Sequence, residues 1–221
     1  GFIIYKQVSK ATETKEVKVY LLSNANVTNA FNGGKSADLL SENEDDLTRE
    51  IYLQGGTVQN IYGGSDSSGT VTVSNVHIES GNANNIYGGN NQGGTTKISK
   101  VDIQGGTVQN VYGGGEKAET TISNVTITGG NIQYIFGGGN QAGVTTTNIQ
   151  TKGGNIENLF GGSNTSGDVN ESFVTTNDKD SSSGNDTITI IGTVYGGNNQ
   201  GGTTNRGTVT VNGGGVQNVY G

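Results

Sequence analysis

Gly55-Gly56-Thr57-Val58-Gln59-Asn60-Ile61-Tyr62-Gly63-Gly64 is the phrase on which the fold turns. It comes back with small changes in copies that close at Gly89, Gly114, Gly138 and Gly162. A contracted copy, Ile191-Gly192-Thr193-Val194-Tyr195-Gly196-Gly197, follows, and another runs from Gly213 to Gly221. The ring of each copy sets a ruler: Tyr62, Tyr87, Tyr112, Phe136, Phe160, Tyr195 and Tyr220. These rings stand about 25 residues apart, apart from one gap of 35 residues before Tyr195. A fixed period of roughly 20–50 residues is the mark of a solenoid or array. An eighth, degenerate copy runs from Val27 to Gly34. It aligns through Phe31, with Asn32 in place of the first Gly.

Between the phrases lie stretches such as Thr70–Ile78, Thr96–Ile103 and Thr121–Ile127. Their apolar and polar residues alternate, they are rich in β-branched side chains, and Gly flanks them, so they read as strands. Aligning the repeats stacks the aliphatics into columns. One holds Ile61, Ile86, Val111, Ile135, Leu159, Val194 and Val219; a second holds Val73, Ile98 and Ile122. Val76, Val101 and Val125 form a third, and Ile78, Ile103 and Ile127 a fourth, with Ile51 and Leu53 joining these last two. A 25-residue unit is too short for a strand–helix–strand crossover, which needs about 30 residues or more. The pattern therefore predicts an all-β parallel β-helix (β-solenoid) of about 25 residues per turn and roughly eight turns. The double Gly after each ring reads as a corner at positive φ, and Asn-rich segments such as Asn90–Gly94 and Asn198–Gly202 as further corners.

Two stretches leave the beat, an acidic one near 35–48 and a Ser- and Asp-rich one near 168–184, and both are expected as surface insertions. Ser36 to Leu47 is the one segment with a helical reading. Residues 1–25, with Phe2-Ile3-Ile4-Tyr5 and Val17-Lys18-Val19-Tyr20, read as leading strands or an N-terminal cap, and 26–221 as the solenoid repeats. An open solenoid end is a sheet edge that invites stacking, so the coil is expected either to continue in further repeats of a longer protein or to be capped at its end, by a partner or by end-to-end self-association.

The composition narrows the partners. Of 221 residues, 40 are Gly and none is Cys, Pro, Met or Trp. Disulfides and thiolate metal sites are excluded. The net charge of −7 supplies no basic stripe for phosphates, which argues against nucleic acid and against an anionic membrane surface. No apolar run approaches the roughly 18 residues of a membrane-spanning helix, so no membrane insertion is expected. Residues 1–20 lack the basic-then-apolar pattern of a signal peptide.

No catalytic, cofactor or metal residue is predicted. The acids Asp66, Glu79, Asp102, Glu116 and Glu157 are scattered. His77, the single histidine, points outward by alternation and has no acid partner near it in sequence. Asp178, Asp180 and Asp186 fit no calcium-loop spacing. Gly137-Gly138-Gly139 is followed neither by Lys-Ser/Thr nor by a helix, so it is no phosphate loop. The Thr pairs at 95–96, 120–121, 145–146 and 203–204 do not keep the flat register of an ice-binding face. The candidate site is the aromatic column itself: Tyr62, Tyr87, Tyr112, Phe136, Phe160, Tyr195 and Tyr220. Two readings of it stay open. The rings form a structural ladder over the Gly corners, or they face solvent as a stripe on which sugar rings stack.

The phrase Gly-Gly-x-Val-x-x-Val-Tyr-Gly-Gly, with Thr-rich strands between its copies, resembles the β-helical repeats of large bacterial surface proteins of the adhesin-like kind. The resemblance covers roughly residues 26–221 and implies an exported, extracellular or cell-surface protein. The implied role is a non-catalytic structural or adhesive module, meeting a glycan or a host or cell-surface ligand. The same coil also carries polysaccharide lyases and hydrolases, so an enzyme of that class is the alternative.

Overall fold

In a computed structural model, residues 17–36, 38–41, 49–177 and 190–221 are described. Fourteen strands run through them. In chain order they are β1 (Val17–Leu21), β2 (Asn26–Phe31), β3 (Arg49–Tyr62), β4 (Thr70–Tyr87), β5 (Thr95–Ile103), β6 (Thr107–Tyr112) and β7 (Glu119–Ile127). There follow β8 (Asn131–Phe136), β9 (Val144–Thr151), β10 (Asn155–Phe160), β11 (Val169–Thr176), β12 (Ile190–Tyr195), β13 (Thr204–Val211) and β14 (Gly215–Tyr220). There is no helix among the described residues.

Every strand pairs in parallel with its equivalent one turn away. From β4 two ladders part, one through β5, β7, β9 and β11 to β13, the other through β6, β8, β10 and β12 to β14. The result is an all-β parallel solenoid. It has about six regular turns, from β4 to β14, and not the eight expected. Ahead of β4, strand β3 continues both ladders and meets β1 and β2, but it lies off the regular path. The register slips there at Leu53/Gln54 and at Gln54/Thr57, where the β3–β4 pairing takes up an irregularity.

The aliphatic columns pair as their spacing predicts. Ile61, Ile86, Val111, Ile135, Leu159, Val194 and Val219 stand in one continuous register. So do Ile51, Val76, Val101 and Val125, which Ile149 and Val174 extend. A further buried column, Val58, Ala83, Val108, Ile132, Ile156 and Ile191, runs beside the Ile61 column on the same aromatic-bearing ladder. Together they make a narrow core, a few aliphatics deep per turn.

Three boundaries differ from the sequence reading. Val169–Thr176, placed in the second insertion, is the regular strand β11, in register with both β9 and β13. Val169 and Val174 fill core positions, while Ser172 and Thr176 take up buried polar ones, so its polarity hides a normal rung. The surplus chain before Tyr195 falls later, on residues 178–189, outside the described residues. Near the start, β1 pairs with β3 and buries Val19 and Leu21, so residues from Val17 onward already belong to the ladder. In the first insertion Leu39 is buried and forms a parallel bridge with Val71, where a helix was expected; residues 42–48 lie outside the described residues.

The corners also differ. Among the described residues, positive φ recurs on glycines at two corners: ahead of the ring-bearing strand, as at Gly81 (93°), Gly106 (84°), Gly130 (91°) and Gly154 (90°), and at the end of the polar corner after the ring, as at Gly69 (125°), Gly94 (80°), Gly167 (102°) and Gly202 (79°). The double Gly after the ring does not have it. That pair is required by close approach. A Cβ at Gly137 would stand 2.4 Å from the Gly161 carbonyl oxygen and 2.9 Å from Thr147 Cβ. No described non-Gly residue has positive φ; the Asn-rich corners close on a positive-φ glycine, Gly94 at 80° and Gly202 at 79°, and are held by hydrogen bonds from their first Asn. The Asn90 side chain accepts from the Ser65 amide and donates to the Gly69 and Gly93 carbonyls. Asn198 does the same with Ser163, Gly167 and Gly201.

Candidate functional site

In each phrase the strand bends at two outward residues. In β6 these are Gln109 and Asn110, with Val108 and Val111 turned inward on either side. Alternation then sets Tyr112 on the opposite side of the strand from Val111. Yet the ring is buried. Tyr62, Tyr87, Tyr112, Phe136 and Phe160 are between 2% and 7% exposed and form a second apolar cluster, separate from the aliphatic core. Phe31, Tyr134 and Tyr195 pack against it half-buried.

From Phe31 to Tyr220 successive rings stack with centroids 4.5–5.2 Å apart and planes within 15°. That is the rung spacing of a parallel ladder. Each inner ring therefore has both faces occupied by its neighbours, and no sugar can stack on them. The phenols are capped by polar side chains. Glu116 hydrogen-bonds the Tyr87 hydroxyl, and Asn164 Nδ2 donates to Tyr112 Oη at 3.4 Å. Burial pushes the Tyr62 and Tyr112 phenols up to about 12. The Tyr87 phenol is raised further, by burial first and then by its bond to Glu116. Tyr220, on β14, is the exception, with 54% of its surface exposed.

A second stack was missed. Tyr20, Tyr52 and His77 lie one above another on the outer face of the first ladder, with centroids 5.0 and 4.6 Å apart. His77 does have acid partners. Its Nε2 is 3.3 Å from Glu50 Oε1, and its Nδ1 is 3.9 Å from Asp102 Oδ2. Glu50 is buried and also meets Lys18 Nζ at 2.9 Å and the Tyr52 hydroxyl. Burial, then the bond to Glu50, raises the Tyr52 phenol. The imidazole beside Asp102 holds its carboxyl below the ordinary aspartate value, with burial opposing and Gln104 assisting. The signal was present in the sequence. The alignment that places Ile51 with Val76 and Leu53 with Ile78 also places Tyr52, His77 and Asp102 in one column.

The remaining acids stay apart, as solvated partners of amides. Asp66 accepts from Asn91, Glu79 from Gln54, and Glu116 from Asn140 and Gln141. Asp178, Asp180 and Asp186 lie outside the described residues. Among the described residues, no set of three or more His, Asp or Glu side chains is arranged to hold a metal ion. A shallow open groove runs along the outer face of the second ladder, and Glu157 is on its wall.

No protein-family model, no curated protein and no solved structure matches the chain.

Proposed function

We propose that the chain is a non-catalytic, extracellular structural or adhesive module of a bacterial surface protein. Its ligand is a glycan or another component of a cell surface, and end-to-end stacking of coils belongs to the same reading. The observation that carries it is the aromatic ladder. The feature that recurs in every repeat stacks upon itself, so it serves the cohesion of a stiff rod. Hydrogen-bonded amide ladders act in the same sense. Asn29, Asn60, Asn85 and Asn110 are joined rung to rung at 2.8–2.9 Å. Such stacking of like side chains stiffens a parallel coil and satisfies its polar groups. A rod of this kind suits projection from a surface and repeated weak contacts along its length.

The test is attachment. Surface-immobilised chain should capture polysaccharide or cells without turning the polysaccharide over. A chain that binds no cell, glycan or copy of itself would remove this reading.

A polysaccharide lyase or hydrolase is the second reading. The observation in its favour is the Glu50–His77–Asp102 cluster, which gathers two carboxylates around one imidazole. Turnover of a polysaccharide by the chain, abolished in Glu50→Gln and in His77→Gln, would replace the structural reading with this one.

A further inference from the structure

Many amide side chains of this protein are joined to one another from rung to rung. Asn140, Asn164 and Asn199 form one such series and Asn124 with Asn148 another. The amides along one side of an open groove are not joined in this way. Asn84, Gln109 and Gln133 stand one above another on β4, β6 and β8, pointing outward, and make no side-chain hydrogen bond within the described residues. They wall one side of the open groove. Asn82, Thr107, Asn131 and Asn155 wall the other. Beneath it lies the aliphatic column of Ala83, Val108, Ile132 and Ile156.

From this geometry we infer that the groove is a binding site for an extended, neutral, hydroxyl-rich polysaccharide lying along the coil axis. Three features select that ligand. A primary amide both donates and accepts, which is what a sugar hydroxyl needs from its partner. The rungs repeat at about 4.8 Å, close to the roughly 5 Å length of one sugar ring, so three successive sugars meet the amides of Asn84, Gln109 and Gln133. The walls hold a single charge, Glu157, which repels a uronate chain and leaves a neutral one unaffected. The groove takes over the ligand role that the buried rings do not fill. This inference rests on the adhesive reading above and gives it a place and a chemistry.

The test is calorimetric titration of the 221-residue chain with cellohexaose and xylohexaose, and with hexagalacturonate as the anionic comparison. A neutral hexasaccharide should bind, its trisaccharide more weakly, and hexagalacturonate least. In Gln109→Ala/Gln133→Ala the affinity should fall by about tenfold or more, the effect of two lost hydrogen bonds. Gln109 is exposed and Gln133 half-exposed, so the thermal midpoint should not move. A Thr121→Ala change on the other ladder should leave binding as it was. The groove is wrong if the double variant binds as tightly as the parent, or if the uronate binds best; adhesion through another face then stands. If neither neutral sugar binds while the chain still attaches to cells, the groove inference alone falls. If attachment fails as well, the adhesive reading falls with it.

Discussion

The Ser123 hydroxyl donates a 2.6 Å hydrogen bond to the carbonyl of Gly137, on the opposite wall of the coil. Thr147 and Gly161 repeat it at 2.6 Å, and Ser74 with Gly88 and Ser99 with Gly113 repeat it again. The carbonyls on either side, those of the ring residue and of the second Gly, accept ladder amides instead. The first Gly thus turns its carbonyl inward, and a small hydroxyl fourteen residues earlier satisfies it. Removing that hydroxyl strands a buried acceptor. Ser123→Ala should cost about 1–3 kcal/mol. Gly137→Ala should cost more, because its Cβ has nowhere to go. Chemical denaturation of both variants checks the order. A Ser123→Ala chain as stable as the parent would mean that the contact carries no weight.

The aliphatic columns are the firmest part of the sequence reading, and one substitution tests them. Val111 is fully buried in the middle of its column. Val111→Asp places an unpaired carboxyl there and should cost several kcal/mol, enough to lower the melting temperature steeply. A melting temperature equal to the parent's would contradict the packing.

Periodicity exposes what repeats, and it hides what a rung does with its polar residues. The columns of Ile61 and Val76 were legible because one face of each strand is aliphatic in every turn. Strand β11 was not, since Glu171, Ser172, Thr175 and Thr176 dilute its two valines to the look of a loop. The role of the double Gly was misread for a different reason. Glycine serves positive φ and close approach alike, and only the distance to Thr147 or to Gly161 separates the two. The burial of the rings also lay beyond the local pattern. Alternation rightly sets Tyr112 opposite Val111, but what covers the outer side comes from other turns, as the Asn164 contact shows. His77 looked isolated because its acids sit 27 residues before and 25 after it.

Truncating an inner ring should unfasten the second cluster. Tyr112 stacks on Tyr87 at 4.7 Å and on Phe136 at 5.1 Å. Tyr112→Ala should destabilise by about 3–5 kcal/mol, as for other buried aromatics. Tyr112→Phe loses one long bond to Asn164 and should be nearly neutral. Thermal melts of the pair check this. A stable Tyr112→Ala would mean that the ladder does not hold the coil together.

The phenols predict an alkaline limit. Tyr62 and Tyr112 ionise at about 12 in the folded chain, above the ordinary value of 10. The folded state therefore prefers the neutral phenol. The stability this contributes is complete below pH 10 and is lost as pH rises through about 12. Ultraviolet titration should show these phenols lagging until the chain unfolds, then ionising together with it. Smooth ionisation near 10 by a folded chain would show that the rings reach solvent.

At acid pH the sign reverses. The Asp102 carboxyl is held below its ordinary value, chiefly by His77. Its contribution is present above the ordinary aspartate value and is lost as pH falls through the lowered folded one. In His77→Ala the Asp102 titration, followed by carbon NMR, should move up toward the ordinary value. The acid unfolding midpoint should move up with it. An unchanged Asp102 titration would place the cause elsewhere, at Gln104.

Asn32 offers a gain in stability. It occupies the position that is Gly63, Gly88 and Gly113 in later turns, its backbone amide donating to the Tyr62 carbonyl as theirs do to the next ring residue. Only 2% of Asn32 is exposed, and neither Nδ2 nor Oδ1 has a hydrogen-bond partner. A buried polar group left unpaired costs about 1–3 kcal/mol. Restoring glycine removes that cost and adds a backbone-entropy cost of roughly 0.5–1 kcal/mol. The first term is the larger, so Asn32→Gly should stabilise by about 1 kcal/mol. For a chain of this size that is roughly 2–4 °C in the melting temperature. The reverse change, Gly63→Asn, brings a Cβ within 2.4 Å of the Gly88 carbonyl oxygen and should destabilise strongly. Melting both variants beside the parent decides the matter. A lower midpoint for Asn32→Gly would show that the Asn32 amide is satisfied, by water or by the residues around it, and that its turn differs from the later ones by design of the sequence.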